Sequence, residues 1–251
     1  KLKDKFDYDD HANPSVMALP DNRIAIFFSA HGGTKNSPIY YAISKNPADI
    51  LSWNELQQVD PDMPGKLGVC YSNPAMLSSE NNRTYLFFRG RNFKPTFIAT
   101  EDFKTWSDPV TIVVNDTIFG ESGRPYMKVT TNHKDKIFFA FTDAHPRDRA
   151  TNSIYFMMYE KGKLTKANGE IISDSFDKPV MPSQTDKVYD ATNIPIRMST
   201  SGMRKTGIDQ NRILFLIESH IPNPGLIECF CCIVDFIGLT WHHRLIKAIR
   251  K

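Results

Sequence analysis

The fold is decided by residues 73–88, which read Asn73-Pro74-Ala75-Met76-Leu77-Ser78-Ser79-Glu80-Asn81-Asn82-Arg83-Thr84-Tyr85-Leu86-Phe87-Phe88. Two short apolar runs flank a polar turn in this stretch. Apolar runs joined by Ser and Asn are typical of a β-hairpin rather than a helix, because these residues tolerate a tight backbone bend. The opening residue, Asn73, stands fourteen residues before Phe87, the first of two adjacent phenylalanines.

The same spacing occurs on both sides of this stretch. Asn13-Pro14 stands fourteen residues before Phe27-Phe28, and Arg124-Pro125 stands fourteen residues before Phe138-Phe139. Successive anchors lie 60 and then 51 residues apart. A third apolar run follows each phenylalanine pair, at residues 39–43, 96–99 and 154–158, and a weaker fourth run lies at residues 58–59, 110–114 and 171–172. Four short strands per repeat of this length predict the blade of a β-propeller.

We therefore predict an all-β chain, a β-propeller of four-stranded antiparallel blades, with about four blades in a single domain or propeller fragment over residues 1–251. The predicted blades cover about residues 8–60, 68–115 and 120–173, with an irregular fourth over residues 188–251. A tandem β-sandwich is the alternative, although it does not require hairpins at a constant spacing.

The fourth repeat is irregular because the spacing fails after Asn193. Ile208-Asp209 stands where an aromatic strand should follow Ile194-Pro195. Residues 213–217 and 241–246 each predict a strand, while the segment between them does not alternate like its predecessors.

Two loops have a motif of their own. Thr100-Glu101-Asp102-Phe103-Lys104-Thr105-Trp106 resembles a degenerate Asp-box, the hairpin motif of sialidase-like propellers, and residues 44–53 resemble a longer copy. The motif indicates a fold and not a function.

Composition excludes several partners. The chain is 41% apolar and 24% charged, which is typical of a soluble globular protein, and its net charge of +3 does not favour nucleic acid. No basic run interleaved with aromatics is present, so we predict no nucleic-acid partner. The longest apolar stretch, residues 226–239, contains Glu228 and Asp235 and is too short for a membrane span.

The spacing of the four cysteines does not indicate a disulfide framework. Cys70 stands alone, and Cys229, Cys231 and Cys232 form a cluster. Together with His242-His243 this cluster allows a zinc interpretation, but Cys-x-Cys-Cys lacks the usual ligand spacing. We predict no metal and no cofactor.

The repeat also predicts a site, because the innermost strand of each blade faces the central channel and equivalent positions converge there. The residues two positions before each anchor are His11, Tyr71 and Ser122. Those two positions after the first Phe of each pair are Ser29, Arg89 and Ala140, and those four positions after it are His31, Arg91 and Thr142. The repeat is therefore not exact at these positions, where the channel mouth is expected, and some of them carry His, Tyr or Arg, whose side chains can take part in catalysis.

Structural roles are the alternative for each of these residues. A strand histidine such as His11 or His31 is often a satisfied structural residue, and Tyr71 is suited to a core position with a bonded hydroxyl. Arg89 and Arg91 flank Gly90 and are expected on one face of a strand, where either could be an ordinary ion-pair partner.

Three stretches resemble the BNR repeat-containing propellers. They are Asp9-Asp10-His11-Ala12-Asn13-Pro14-Ser15 with Ser29-Ala30-His31-Gly32-Gly33, Cys70-Tyr71-Ser72-Asn73-Pro74 running to Phe87-Phe88-Arg89-Gly90, and Thr142-Asp143-Ala144-His145-Pro146-Arg147 with Asn152-Ser153-Ile154-Tyr155. The resemblance covers about residues 8–190. That family includes ulvan lyases, rhamnose–glucuronate lyases and an α-rhamnosidase branch, and its members typically have seven blades.

The resemblance implies a carbohydrate-active protein, secreted or periplasmic, that cleaves a uronate-containing polysaccharide by β-elimination. It implies acid and base functions for His11, His31 and Tyr71, and it implies that Arg89 neutralises the substrate carboxylate. Substrate-binding candidates are Arg91, Arg124, His145 and Arg147.

Two other functions stay open. A glycosidase needs paired carboxylates, and Asp10 and Glu121 are repeat-equivalent, three residues before their anchors. Strand alternation points them away from the predicted site. A propeller that only binds glycans is the third possibility, because a fold does not fix a function.

Overall fold

The computed structural model describes residue 2 and residues 13–30, 37–65, 68–115, 123–144, 152–176 and 178–190, together with the backbone of residues 204–209, 212–220, 226–235 and 240–249. These residues form antiparallel strands, and the only helical elements among them are 3-10 turns such as Ser78–Glu80 and Pro182–Gln184. The chain divides into two compact units.

The first unit comprises Lys1–Ile112 and His133–Asp135 and holds two four-stranded sheets. The strands of the first sheet pair in chain order and are β1 (Ser15–Ala18), β2 (Ile24–Phe28), β3 (Ile39–Ile43) and β4 (Gln57–Val59). The second sheet repeats this order with β5 (Cys70–Leu77), β6 (Arg83–Arg89), β7 (Pro95–Thr100) and β8 (Val110–Thr111). Each sheet is the four-stranded meander that the anchor spacing predicts.

One hydrophobic cluster joins these two sheets. The paired phenylalanines of the repeat contribute Phe27 and Phe88, and Ile39, Leu86 and Ile98 pack with them. Burying a side chain of this size contributes about 1.5–3 kcal/mol. The apolar residues of the repeat are therefore the ones that hold neighbouring sheets together.

The loop after β7 is an Asp-box-like turn. The carboxylate of Asp102 accepts hydrogen bonds from the backbone N–H groups of Lys104 and Thr105, both at 2.8 Å. These bonds lower the pKa of Asp102, because they favour its charged form. The turn presents Trp106 to the core, where its ring lies edge-on to that of Tyr41 with centroids 5.7 Å apart.

The loop after β3 is built in the same way. Asp49 accepts the backbone N–H groups of Leu51 and Ser52 at 2.7 and 3.2 Å, as well as the Ser52 hydroxyl. These interactions, led by the Ser52 hydroxyl, lower the pKa of Asp49 to about 2. The two turns close equivalent hairpins of successive sheets.

The second unit comprises Val113–Asn132 and Lys136–Lys251. Its first sheet has the order β13-β12-β11-β10-β9, built from β9 (Met127–Thr131), β10 (Lys136–Thr142), β11 (Ile154–Glu160), β12 (Lys163–Thr165) and β13 (Ile171–Ser173). A further strand, β14 (Asp186–Tyr189), pairs antiparallel with β11. This sheet is the third repeat with one added strand.

The last sheet is more regular than the sequence indicates. It is a four-stranded antiparallel meander of β15 (Arg204–Asp209), β16 (Arg212–His220), β17 (Leu226–Asp235) and β18 (Thr240–Ile249). Only parts of β16 and β18 are predicted from the sequence. Strand β17 pairs on both sides, although its sequence does not alternate between apolar and polar residues as the earlier strands do.

Candidate functional site

Four of the eight predicted site residues lie outside the described residues: His11, His31, His145 and Arg147. Of the other four, Tyr71, Arg89 and Arg91 belong to the first unit and Arg124 to the second.

A β-bulge in β5 determines the direction of the Tyr71 side chain. In the pairing of β5 with β6, Cys70 is opposite Arg89 and Asn73 is opposite Phe87, so two residues of β5 face one residue of β6. Tyr71 has a φ of 62°, in the left-handed region. That conformation costs a non-glycine residue roughly 1–2 kcal/mol. Bulges of this kind redirect a side chain out of the regular alternation.

Tyr71 is directed at Arg89, the last residue of β6. The guanidinium carbon of Arg89 lies 5.3 Å from the centroid of the Tyr71 ring and 5.4 Å from that of Phe93. Both distances are within the range of cation–π attraction. The ring contact between Tyr71 and Arg89 is the one pair of predicted catalytic residues that the described residues bring together.

Arg89 is a buried cation. The residue is 8% exposed, and its Nε has no hydrogen-bond acceptor. Among the described residues, no carboxylate lies within ion-pair distance of it. Burying a guanidinium without a counter-ion is costly, and aromatic faces compensate only part of that cost. The arrangement is suited to receiving an anion from outside the protein.

Serine hydroxyls fix the bulge to the first sheet. The Ser15 hydroxyl donates to the carbonyl of Ser72, the second bulge residue, and the Ser29 and Ser72 hydroxyl oxygens are 3.5 Å apart. Ser29 and Ser72 are buried. Ser29 is the repeat equivalent of Arg89 and stands two residues before His31. The backbone beside Tyr71 is thereby held to strand β1 and to the end of β2.

Arg91 points to a different neighbour from Arg89. Its guanidinium forms an ion pair with Asp60 and donates to the carbonyl oxygen of Pro61 at 3.3 Å. Arg91 is 6% exposed. A Cβ added at Gly65 would lie 2.2 Å from backbone atoms of Arg91. Arg91 thus packs on the connection between the two sheets, and a substrate-binding role for it stays a prediction.

Arg124 is buried in the second unit, ahead of β9. In the same unit, the Asn152 side-chain amide makes two hydrogen bonds with the backbone of Ala144, at 3.1 and 2.8 Å. These bonds join the two ends of the segment that contains His145 and Arg147. The substrate-binding roles of these three residues stay predictions.

A half-buried acid, Asp143, lies beside that segment. The carboxylate of Asp143 accepts the backbone N–H of Ser153 at 2.7 Å. Burial raises the pKa of Tyr155, and its hydrogen bond to Asp143 raises it further. Tyr155 therefore stays protonated over the physiological range and acts as a donor to Asp143.

Phe93 is a candidate residue that was not predicted from the sequence. Residues 92–94 carried no predicted role, yet the Phe93 ring is one of the two in contact with Arg89. An aromatic residue in a short turn, four positions after a candidate arginine, is the signal that would have identified it.

The sequence profile of the BNR repeat-containing family matches residues 1–248. The chain belongs to this family. Its fold is the β-propeller of four-stranded antiparallel blades, and about four blades lie in the part of the chain that the structure describes.

Two curated relatives of this BNR repeat-containing chain are ulvan lyases. That of Alteromonas sp. (strain LOR) is 25% identical over 120 residues, and that of Pseudoalteromonas sp. (strain PLSV) is 26% identical over 120 residues. Each match covers 42% of this chain and 23% of the relative. The matched part is therefore less than a quarter of either enzyme.

Solved structures agree with this fold. A polysaccharide lyase described as an ulvan lyase matches with a TM-score of 0.64 and 17% identity, over 96% of this chain and 59% of that chain. The same figures apply to an ulvan lyase bound to -[GlcA(1-4)Rha3S]-. The α-L-arabinofuranosidase of Podospora anserina in complex with cellotriose matches with a TM-score of 0.54 and 13% identity, over 95% of this chain and 69% of that chain.

The described residues contain neither a metal-ligand cluster nor a membrane-spanning helix. No three of their His, Cys, Asp and Glu side chains are grouped as metal ligands would be. No helix within them is long and apolar enough to cross a membrane. The cysteine cluster at residues 229–232 and its neighbouring histidines have no described side chains.

Proposed function

We propose that this protein is a polysaccharide lyase that cleaves a uronate-containing polymer, of the ulvan or rhamnose–glucuronate kind, by β-elimination. The observation that carries the proposal is Arg89, a buried guanidinium held by two aromatic rings and without a carboxylate partner among the described residues. A uronate carboxylate is the complementary ligand, because guanidinium binds carboxylate through two parallel hydrogen bonds.

The reaction places defined demands on such a site. A base removes the proton from C5 of the uronate, the bond between C4 and its glycosidic oxygen breaks, and a C4–C5 double bond forms. An acid gives a proton to the departing oxygen. Negative charge grows on the carboxylate as the C5 proton leaves, so a fixed cation stabilises the transition state more than the ground state. Arg89 is assigned this task.

Tyr71 is assigned to proton transfer together with His11 and His31. Its ring lies against the Arg89 guanidinium, so a carboxylate bound by Arg89 would hold C5 near the phenol. Histidine titrates near neutral pH and is able to exchange a proton with either the base or the leaving oxygen. The roles of the two histidines rest on their repeat positions.

A glycosidase is less well supported. Hydrolysis of a neutral glycoside uses two carboxyl groups across the scissile bond, and the described surroundings of Arg89 supply none. Secretion follows from the proposed substrate, because such polymers are extracellular, and it is part of the proposal.

Ultraviolet absorbance tests the proposal, because elimination creates an unsaturated uronate that absorbs in the near ultraviolet. We expect the protein to raise the absorbance of ulvan-like or rhamnose–glucuronate polymers and to leave carboxyl-reduced polymers unchanged. Arg89→Ala should lower the rate by about 100-fold or more, the scale of a lost charge-stabilising group. Arg89→Lys should recover part of it, since the charge remains and the two-pronged geometry is lost.

Arg83→Ala is the matched control. Arg83 opens the strand that Arg89 closes, and its guanidinium carbon also lies over an aromatic ring, that of Tyr85, at 5.6 Å. Unlike Arg89, it has an ion-pair partner in Glu101. We expect this variant to keep the wild-type rate. New reducing ends without absorbance would assign the protein to the glycosidases, and retention of polymer without either product would make it a binding propeller.

A further inference from the structure

Phe93 occupies a position that normally belongs to glycine. Residues 90–94 connect β6 to β7. Hydrogen bonds from Gly90 N to Lys94 O and from Phe93 N to Gly90 O, both 2.9 Å, close a three-residue loop over residues 91–93. The last residue of such a three-residue connection is left-handed and is usually Gly. Phe93 has a φ of 64°.

The other short turns between consecutive strands meet the same demand with polar residues, namely Asn22, Asn81, Asn82, His133 and Lys161. Ala48 and Phe103 are also left-handed, but they belong to the longer loops that Asp49 and Asp102 organise. Asn tolerates this region because its short polar side chain hydrogen-bonds locally. A phenylalanine gains nothing of this kind, so its presence at residue 93 is a local cost. Backbone strain that persists in a structure is a reason to look for a function.

The Phe93 ring has a specific contact. Its centroid is 5.4 Å from the Arg89 guanidinium carbon, while Tyr71 contacts the same group from 5.3 Å. Tyr71 is left-handed too, at φ 62°. Two aromatic residues in an unfavourable backbone conformation thus converge on one buried arginine.

We propose that Phe93 is a positioning residue that fixes the orientation of the Arg89 guanidinium for the uronate carboxylate. The inference rests on the proposed function. With both rings in place the planar guanidinium has few orientations, so the carboxylate meets donors already arranged in the plane it needs. Without the Phe93 ring the side chain keeps its charge and loses its fixed direction, which weakens an interaction that depends on geometry.

The test compares variants at residue 93 in binding and catalysis. Phe93→Leu should lower kcat/KM on a rhamnose–glucuronate polymer roughly tenfold, the scale of one cation–π contact near a desolvated group. Binding of glucuronate-containing oligosaccharides, measured by calorimetry, should weaken in parallel, with carboxyl-reduced oligosaccharides unaffected. Phe93→Tyr keeps the ring and should restore both values.

Phe93→Gly separates positioning from folding. Glycine adopts the left-handed conformation without penalty, so this variant should keep or raise Tm while losing as much kcat/KM as Phe93→Leu. Phe103→Leu is the matched control, because Phe103 is also left-handed, at φ 57°, and its ring packs against Phe27 and Trp106 in the core. It should lower Tm and leave kcat/KM unchanged.

The outcomes distinguish the inference from the proposed function. Wild-type elimination with unchanged kinetics and binding in Phe93→Leu would overturn the positioning role and leave the lyase standing. Loss in Phe93→Leu that Phe93→Tyr does not restore would also overturn it. A wild-type protein that neither binds nor cleaves the uronate polymers would overturn both.

Discussion

At the scale of the residue, the site depends on how one charge is buried. Arg89 is buried in the first unit, yet its neighbours among the described residues are two aromatic rings rather than an acid. Arg91, two residues on, is equally buried and has an acid, Asp60. The difference matters because a paired arginine has a satisfied charge and an unpaired one retains its affinity for an anion. Arg91 is thereby suited to holding the fold and Arg89 to binding a ligand.

Tyr71 offers a test that separates its ring from its hydroxyl. Tyr71→Phe keeps the ring against Arg89 and removes the proton-transfer group. We expect kcat to fall about 100-fold, the effect of losing a general acid or base, with little change in oligosaccharide binding. Initial rates and calorimetry measure the two quantities. Equal losses of binding and rate would contradict the acid–base role and leave Tyr71 as a support for Arg89.

His31 offers a second test at this scale. Its position four residues after Phe27 predicts that it reaches the channel mouth. Replacing it by Ala should cut the rate of unsaturated product formation about 100-fold or more. A His31→Ala protein of near wild-type activity would remove it from the mechanism.

At the scale of the element, turns and connections determine where the side chains of the site lie. The Asp49 and Asp102 carboxylates organise equivalent loops through backbone N–H groups. A bulge in β5 turns Tyr71 toward Arg89, and a three-residue connection after β6 brings in Phe93. The strands provide the frame, while these irregular elements place the side chains of the site.

Asp49 predicts a pH dependence of stability. The pKa of its carboxyl group is about 2 in the folded protein, against an ordinary value of 3.8 for aspartate. A depressed pKa contributes stability that is present above about pH 4 and is lost as pH falls toward 2. Asp49→Asn should therefore be less stable than wild type at pH 6, with the difference shrinking below pH 4. Urea unfolding at several pH values measures it, and a constant difference would contradict the charged-turn account.

Gly65 predicts the cost of disturbing the connection between the sheets. It has a φ of 154°, and a Cβ there would lie 2.2 Å from the Arg91 backbone. Gly65→Ala should lower the free energy of unfolding by roughly 3 kcal/mol, since backbone atoms cannot yield as a flexible side chain does. Gly169→Ala is the control, because Gly169 is left-handed at 87° with no atom within 4 Å of an added Cβ. A smaller loss at Gly65 than at Gly169 would contradict the packing described.

At the scale of the whole molecule, repetition made much of the fold predictable. The fourteen-residue spacing from Asn73 to Phe87 identifies two paired strands in each of three sheets, because a repeated apolar pattern reflects a repeated core. The fourth sheet was not predicted as regular, since residues 226–235 form an interior strand whose apolar run lacks alternation. Tyr71 and Arg89 lie on paired strands of one sheet, and the convergence of all four predicted catalytic residues stays a prediction.

Other parts of the site could not be predicted from periodicity. Arg89 and Arg91 were expected on one strand face, but β6 ends at Arg89 and Arg91 belongs to the turn. The bulge at Tyr71 and the left-handed φ of Phe93 are backbone events with no period. Pattern arguments assume regular strands, so they fail where strands end or bulge.

The masses of the products test the central claim most directly. Elimination moves a proton and breaks a bond without adding water, so each cleavage creates a chain end that is lighter by one water than the product of hydrolysis. The wild-type protein should convert a rhamnose–glucuronate polymer into oligosaccharides with the mass of the unsaturated uronate at the non-reducing end. Products of hydrolytic mass, with no unsaturated end, would contradict the account.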